Sequence, residues 1–407
     1  MTEGILLVDY SKENATVTGH YYAALSFQLR EAFKEKRRGK IWMRTIPTIL
    51  LAVVYLSGAV LGGIRETGTR SRRSHDKHLQ RRGSGTTGSK VIYYYFDKRI
   101  NQTLKDLFLK AAKAWEDSTC IKFEENEEEW EAIKVEQLGG WDCAYTRIPR
   151  GPQYLSVDCG YFGGIAHEVG HALGLVHTQS RYDRDKYISV VWPNVEKEFN
   201  ARYQDWIEKS PSEARKYLET FKKEYGTTLT SESDHYGVPY DYGSIMHYGT
   251  SDEDPPMIPT DLNHNRTMGS QFISFTDLLE INERHKCTVS CAPQKRKCEN
   301  DGFFNPKKCD TCVCPSGYGG RFCENQPDDG GEDLKADATL QTIKLTIQSD
   351  RNASDHYVKH TTWIRTASKT GIEVEIENIS DGLKAYGCAK AGVEIKTQDD
   401  QKLTGYR

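Results

Sequence analysis

The stretch HEVGHALGLVH holds the residues best spaced for chemistry. His167 and His171 are four apart, so on a helix both imidazoles share one face and can point at a single cation. Glu168 stands beside them. Gly174 follows three residues after His171, where a left-handed turn can end the helix and swing His177 back as a third nitrogen ligand. Three imidazoles leave one coordination position open, the pattern of a catalytic zinc rather than a closed structural one. One Zn2+ per chain would lower the pKa of bound water towards about 7, and Glu168 would take its proton and deliver it to a leaving amine. The expected reaction is peptide-bond hydrolysis. A lone histidine pair would read as satisfied core residues on an apolar helix face, but Glu168, Gly174 and His177 together favour the metal.

The elements that must position these groups are legible around them. VIYYYFDKRI has the aromatic and β-branched content of a strand, and residues 104–115 carry apolar spacing suited to an amphipathic helix. GPQYLSVDC, ahead of the histidine helix, is expected to be an edge strand able to pair with an extended substrate.

With the third histidine followed by Arg181, Tyr182, Asp183, Arg184 and Asp185, the sequence resembles the astacin family of zinc metalloendopeptidases, a metzincin family. SIMHY, ending at Tyr248, resembles that family's Met-turn. The resemblance implies Met246 beneath the metal and the Tyr248 hydroxyl at or near it, free to hydrogen-bond a developing oxyanion. Without the zinc motif, Met246 would read as core filler and Tyr248 as packing. The resemblance covers 83–287 and implies an α+β, zincin-like domain. Two subdomains, with a twisted sheet and a zinc-binding helix, would flank a cleft. It also implies disulfides Cys120–Cys287 and Cys143–Cys159. Two departures stand out. Thr178 occupies the place where the family carries a glutamate that holds the mature N-terminus, and the segment before the domain lacks the family's Phe-Xaa-Gly-Asp stretch, Asp76 being its sole aspartate. A Lys- and Glu-rich segment, 205–233, is longer than the pattern requires and reads as a solvated helical insertion.

Six cysteines between Cys291 and Cys323 end in CVCPSGYGGRFC and resemble an EGF-like module over 288–325. The resemblance implies Cys291–Cys309, Cys298–Cys312 and Cys314–Cys323; a structural zinc on Cys309, Cys312 and Cys314 is the alternative. After the linker QPDDGGEDLKAD, strand-like alternation over 326–407 resembles part of an all-β CUB-like sandwich. Ten of the 11 cysteines fall into five implied pairs, Cys388 lies outside them, and the sandwich is therefore expected to be incomplete.

The chain's 407 residues allow several domains, and a net charge of −3 gives no whole-chain reason to expect nucleic acid as partner. The cysteine density points to an oxidising compartment. The long apolar run 46–64 fits a signal peptide at 43–59 if translation starts at Met43; as a retained anchor it would make the protein a single-pass type II membrane protein. Residues 60–82, with RSRR ending at Arg73, read as a zymogen pro-segment or a flexible linker. Sequons at Asn101, Asn265, Asn352 and Asn378 suit a secreted glycoprotein. Residues 4–40 resemble a fragment of mariner-type transposases but lack the converging carboxylates such an enzyme needs, so 1–42 is expected to be a captured exon or an extension wrongly joined to the gene. The expected function is a secreted zinc endopeptidase acting on extracellular proteins or peptides. The alternative is a catalytically silent adhesion or matrix-binding protein using its EGF-like and CUB-like modules.

Overall fold

The computed structural model describes residues 2–10, 15–24, 40–42, 90–140, 142–148, 152–229, 234–291, 296–347, 358–366, 371–380 and 385–407. The apolar run 46–64, the segment 60–82 and Asn352 lie outside the described residues. Among the described residues, no helix is long and apolar enough to cross a membrane.

Three strands come first, β1 (Thr2–Tyr10), β2 (Ala15–Ala24) and β3 (Lys40–Trp42). The run KVIYYYF then forms β4 (Lys90–Phe96), whose branched and aromatic side chains suit a pleated, half-buried surface. Helix α1 (Gln102–Asp117) starts at Asn101, whose side chain accepts from Leu104 N at 3.0 Å. Its residues Leu104, Leu107, Phe108, Ala111, Ala112 and Trp115 recur on one face and are buried, so that face covers the sheet. Strands β5 (Ile121–Glu125), β6 (Ile133–Glu136), β7 (Cys143–Arg147) and β8 (Gln153–Val157) complete that sheet in the order β5-β4-β6-β8-β7. All neighbours are parallel except β7, which runs antiparallel to β8. This corrects the expectation that GPQYLSVDC is the edge. β8 is flanked on both sides and buries Leu155, Ser156 and Val157, whereas β7, folded back on it, alternates towards solvent.

Helix α2 (Phe162–Ala172) packs beneath the sheet through Ile165, Ala166 and Val169, with Trp115 Nε1 donating to Ala166 O at 3.0 Å. The lower half holds β9 (Ile188–Val190), α3 (Trp192–Arg202), α4 (Gln204–Lys209), α5 (Pro211–Lys223), β10 (Met257–Pro259) and α6 (Phe275–His285). Within the 205–233 segment, α4 has no fully buried residue, but Trp206 and Ile207 are half-buried against a second core, more than a solvated insertion requires. Helix α5 departs further from that expectation: Ala214 and Phe221 are buried, and Phe221 and Tyr225 pack with Val195 and Phe199 of α3 in that second core. Charge patterning conceals this because the aromatic positions sit a helical turn apart among lysines and glutamates.

Disulfides join Cys120 to Cys287 and Cys143 to Cys159 in this domain. The first spans a sequence separation of 167 and ties the end of α1 to the end of α6. Constraint of the unfolded chain grows with loop length, so replacing both Cys120 and Cys287 by Ala is expected to cost about 2–5 kcal/mol. The 16-residue Cys143–Cys159 loop should cost less when opened in the same way, which denaturant midpoints of the two double variants check.

Cys291 and residues 296–323 form a small module on β11 (Phe303–Asn305) and β12 (Lys308–Val313), closed by Cys291–Cys309, Cys298–Cys312 and Cys314–Cys323. Strands β13 (Asp333–Lys335), β14 (Gln341–Ile347), β15 (Val358–Thr366), β16 (Gly371–Ile379) and β17 (Ala391–Lys396) then make two four-stranded sheets, β13-β15-β1-β17 and β14-β2-β16-β3. The first three strands of the chain thus contribute backbone to both sheets, β1 pairing with β15 and β17, and β2 with β14 and β16. Cys388 is buried beside this sandwich. Beyond β17, Thr404 Oγ1 donates to Asp241 Oδ2 at 3.0 Å and the Tyr406 hydroxyl to Asp261 Oδ2 at 2.8 Å, docking this segment on the lower half of the 90–287 domain.

Candidate metal centre and active site

Helix α2 ends in a hydrogen-bonded cap that turns the chain towards His177. Leu175 N donates to Gly170 O and Gly174 N to His171 O, each at 3.0 Å, the paired bonds of a Schellman ending. Gly174 sits at φ +100°, where a side chain would be strained. The reversed chain brings the third imidazole under the first two. His167 Nε2 lies 3.1 Å from His177 Nε2, and His171 Nε2 lies 3.0 Å from it.

The outer nitrogens decide what these contacts mean. His167 Nδ1 donates to Ile245 O at 2.7 Å, His171 Nδ1 to Leu175 O at 2.9 Å, and His177 Nδ1 faces Glu224 Oε2 at 3.0 Å. The two carbonyls only accept, and the carboxylate oxygen beside His177 Nδ1 favours a proton on that nitrogen by charge, so Nδ1 is protonated in all three rings and three Nε2 lone pairs face one another. No hydrogen bond can join three acceptors; a cation can. The observed separations are close to the roughly 3.3 Å kept by two nitrogens each about 2.05 Å from one tetrahedral ion. Burial drives the pKa of all three imidazoles down, and for His167 and His177 the neighbouring His171 lowers it further, which holds the neutral, ligating form. The donor set fits zinc: three imidazoles with a position left open.

Glu168 follows His167 on the same helix. Burial pushes its carboxyl up to about 7, opposed by a hydrogen bond from the Tyr145 backbone on β7.

Beneath the histidines runs the turn containing Met246, which is buried with its Sδ against α2. A Cβ on Gly170 would come within 2.7 Å of that sulfur, so with any other residue here the Met246 side chain would have to move away from the helix. Thr178 N donates to Met246 O at 3.0 Å, and Tyr248 N to Gln179 Oε1 at 3.0 Å, which fixes the turn to the residues after His177. The Tyr248 ring lies 4.4 Å from the His177 ring, centroid to centroid. Burial raises its phenol well above the ordinary range, so the hydroxyl stays protonated and remains a donor.

Thr178, at the position of the family glutamate, is buried, and its Oγ1 donates to Ser244 Oγ at 2.9 Å. Ser244 Oγ in turn donates to Asp277 Oδ1 at 2.5 Å. Asp277 is one residue that sequence reasoning misses. Fully buried, it also accepts from Ile245 N at 2.9 Å and from Ser274 N and Oγ at 2.8 Å each. Desolvation pushes its carboxyl up to about 7 against those bonds. The one local signal is Ser274 three residues before it, a capping box at the start of α6. Of the sequons, Asn101 and Asn378 are exposed and Asn265 is half-buried.

The astacin peptidase-family model matches residues 82–224 and 213–286. A transposase (partial DDE domain) model matches residues 1–43. Zinc metalloproteinase nas-31 of Caenorhabditis elegans is 37% identical over 349 residues, covering 83% of this chain and 53% of the relative. Zinc metalloproteinase nas-25 of the same organism is 30% identical over 332 residues, 77% of each chain. Among solved structures, high choriolytic enzyme 1, a hatching enzyme zinc-protease from Oryzias latipes, is 28% identical with a TM-score of 0.39, covering 49% of this chain and 90% of that one. The chain spans about half the length of nas-31. The family model runs from the segment ahead of β4 through the histidine helix and the turn at Met246 to the end of α6, and this chain belongs to the astacin family of peptidases.

Proposed function

We propose that the chain is a zinc-dependent endopeptidase of extracellular proteins, with His167, His171 and His177 as metal ligands, Glu168 as general base and Tyr248 as oxyanion donor. The observation that carries this reading is the convergence of three Nε2 lone pairs, with the half-buried Glu168 next to His167 on the same helix. Zinc, when bound, supplies a Lewis acid that polarises the scissile carbonyl and acidifies water. Glu168 accepts the water proton and returns it to the leaving amine, a role that suits a carboxyl raised by burial. The Tyr248 phenol donates to the oxygen on which charge develops. An extended substrate adds to the outer side of β7, main-chain bonds holding it while alternate side chains enter the cleft. The Glu168 contact with Tyr145 would couple that strand to the base.

Five disulfides support a secreted protein. The six-cysteine module and the sandwich suit EGF-like and CUB-like spacers or binders, with Asn101, Asn265 and Asn378 as glycan sites on the described surface.

Metal removal tests the reading. Stripping the protein with a chelator is expected to abolish cleavage of an unfolded protein substrate, and about one equivalent of zinc per chain should restore it. Cleavage that survives removal of the metal would overturn the mechanism. Zinc-loaded, folded protein that cuts nothing in a broad peptide library would favour the silent binding module instead.

A further inference from the structure

Two of the three histidines hand their outer proton to main-chain carbonyls, Ile245 O and Leu175 O, which any sequence could supply. The third differs. His177 Nδ1 faces a carboxylate, Glu224 Oε2, at 3.0 Å, and Glu224 belongs to the end of α5 in the inserted segment. We infer that Glu224 is a positioning residue for the metal centre, orienting His177 and strengthening it as a ligand, and that the insertion serves to bring it there. This rests on the zinc-site reading above.

The placement is built from both sides. Ser180 Oγ donates to Glu224 O at 2.7 Å and Gln179 Nε2 to the same oxygen at 3.4 Å. Arg184 Nη1 donates to Tyr225 O at 2.7 Å, and Thr228 N to Ser180 O at 2.7 Å. The backbone around Glu224 is therefore laced to residues that closely follow His177. From the other side, Phe221 and Tyr225 anchor α5 on Val195 and Phe199, and Lys222 pairs with Glu196 at 2.6 Å. The family match is in two pieces that overlap at 213–224, the stretch that runs along α5 to its cap at Glu224.

A carboxylate accepting from Nδ1–H does two things a carbonyl does less well. Its charge, 3.0 Å from Nδ1, favours one ring orientation, and it makes Nε2 a better donor to a metal. Loss of such a partner costs about 10–100-fold in metal affinity. The Glu224 side chain is 43% exposed and its backbone bonds do not use the carboxylate, so its removal should leave folding intact.

The test is zinc affinity, measured by competition with a chelator of known strength on the full chain. Glu224→Ala is expected to bind zinc about 10–100-fold more weakly than the native protein, and excess zinc should recover most of its cleavage rate. Glu224→Gln keeps an oxygen that accepts from Nδ1–H without the charge and should fall between the two. Glu219→Ala removes an exposed carboxylate from the same helix and should match the native protein. Native affinity in Glu224→Ala, within about twofold, overturns this inference and leaves the zinc site standing. An equal loss in Glu219→Ala also overturns it, since bulk charge would then explain the effect. Native protein that takes up no zinc overturns the site reading itself.

Discussion

Glu168→Gln is expected to lower kcat/KM by about 10²–10⁴-fold while leaving zinc content unchanged. The carboxamide keeps the shape of the side chain and the three imidazoles keep their partners, so the metal site should not notice the change. What is lost is the carboxylate placed to take a proton from water. Because the effect is on the chemical step, it should appear in kcat with KM near its native value. Steady-state kinetics alongside metal analysis would check this. A variant that retains more than about a tenth of native kcat/KM would remove Glu168 from the mechanism.

Asp277→Ala should be the most damaging single change to the domain among residues that touch no ligand. Its carboxylate accepts from Ser244 Oγ, Ile245 N, Ser274 N and Ser274 Oγ, all buried. Truncation leaves several of these donors without partners, at about 1–3 kcal/mol each before relaxation, for a net loss of about 3–5 kcal/mol. That is a large share of the ~5–15 kcal/mol that holds a domain together. The damage should also reach the metal. Ile245 offers its N–H to Asp277 and its C=O to His167 Nδ1, so a loosened Ile245 peptide releases the orientation of a ligand. Thermal unfolding and zinc affinity should fall together. Asp277→Asn keeps an acceptor oxygen and should lose less of both; equal stability of the Ala variant and the native protein would contradict this account.

The catalytic constellation is readable in the sequence because its logic is local. His167, Glu168 and His171 need only a helix, and Gly174 needs only to end it, so an 11-residue stretch specifies the approach of His177. Met246 and Tyr248 are visible through family resemblance alone, since nothing in SIMHY by itself distinguishes a site from packing. Asp277 and Glu224 are not visible. Each acts across a turn of the tertiary fold, Asp277 on Ile245 from 32 residues away and Glu224 on a ring held by a different element. A charged residue in a charged helix carries no mark of which imidazole it will face.

Sheet order is likewise beyond the pattern. An alternating run announces a strand but not its neighbours, and β7, with its short, exposed sequence, is the edge next to β8. The aromatic face of α5 is hidden for a related reason. Phe221 and Tyr225, four apart, form an apolar stripe too narrow to outweigh the surrounding lysines and glutamates in a reading by composition.

Diffraction data collected across the zinc absorption edge on crystals of the native chain would test the central claim most directly. One anomalous peak about 2.0–2.1 Å from the Nε2 atoms of His167, His171 and His177 is the predicted result. Zinc found only at another site, or a folded protein whose three Nε2 atoms hold no metal with zinc present in excess, would contradict it.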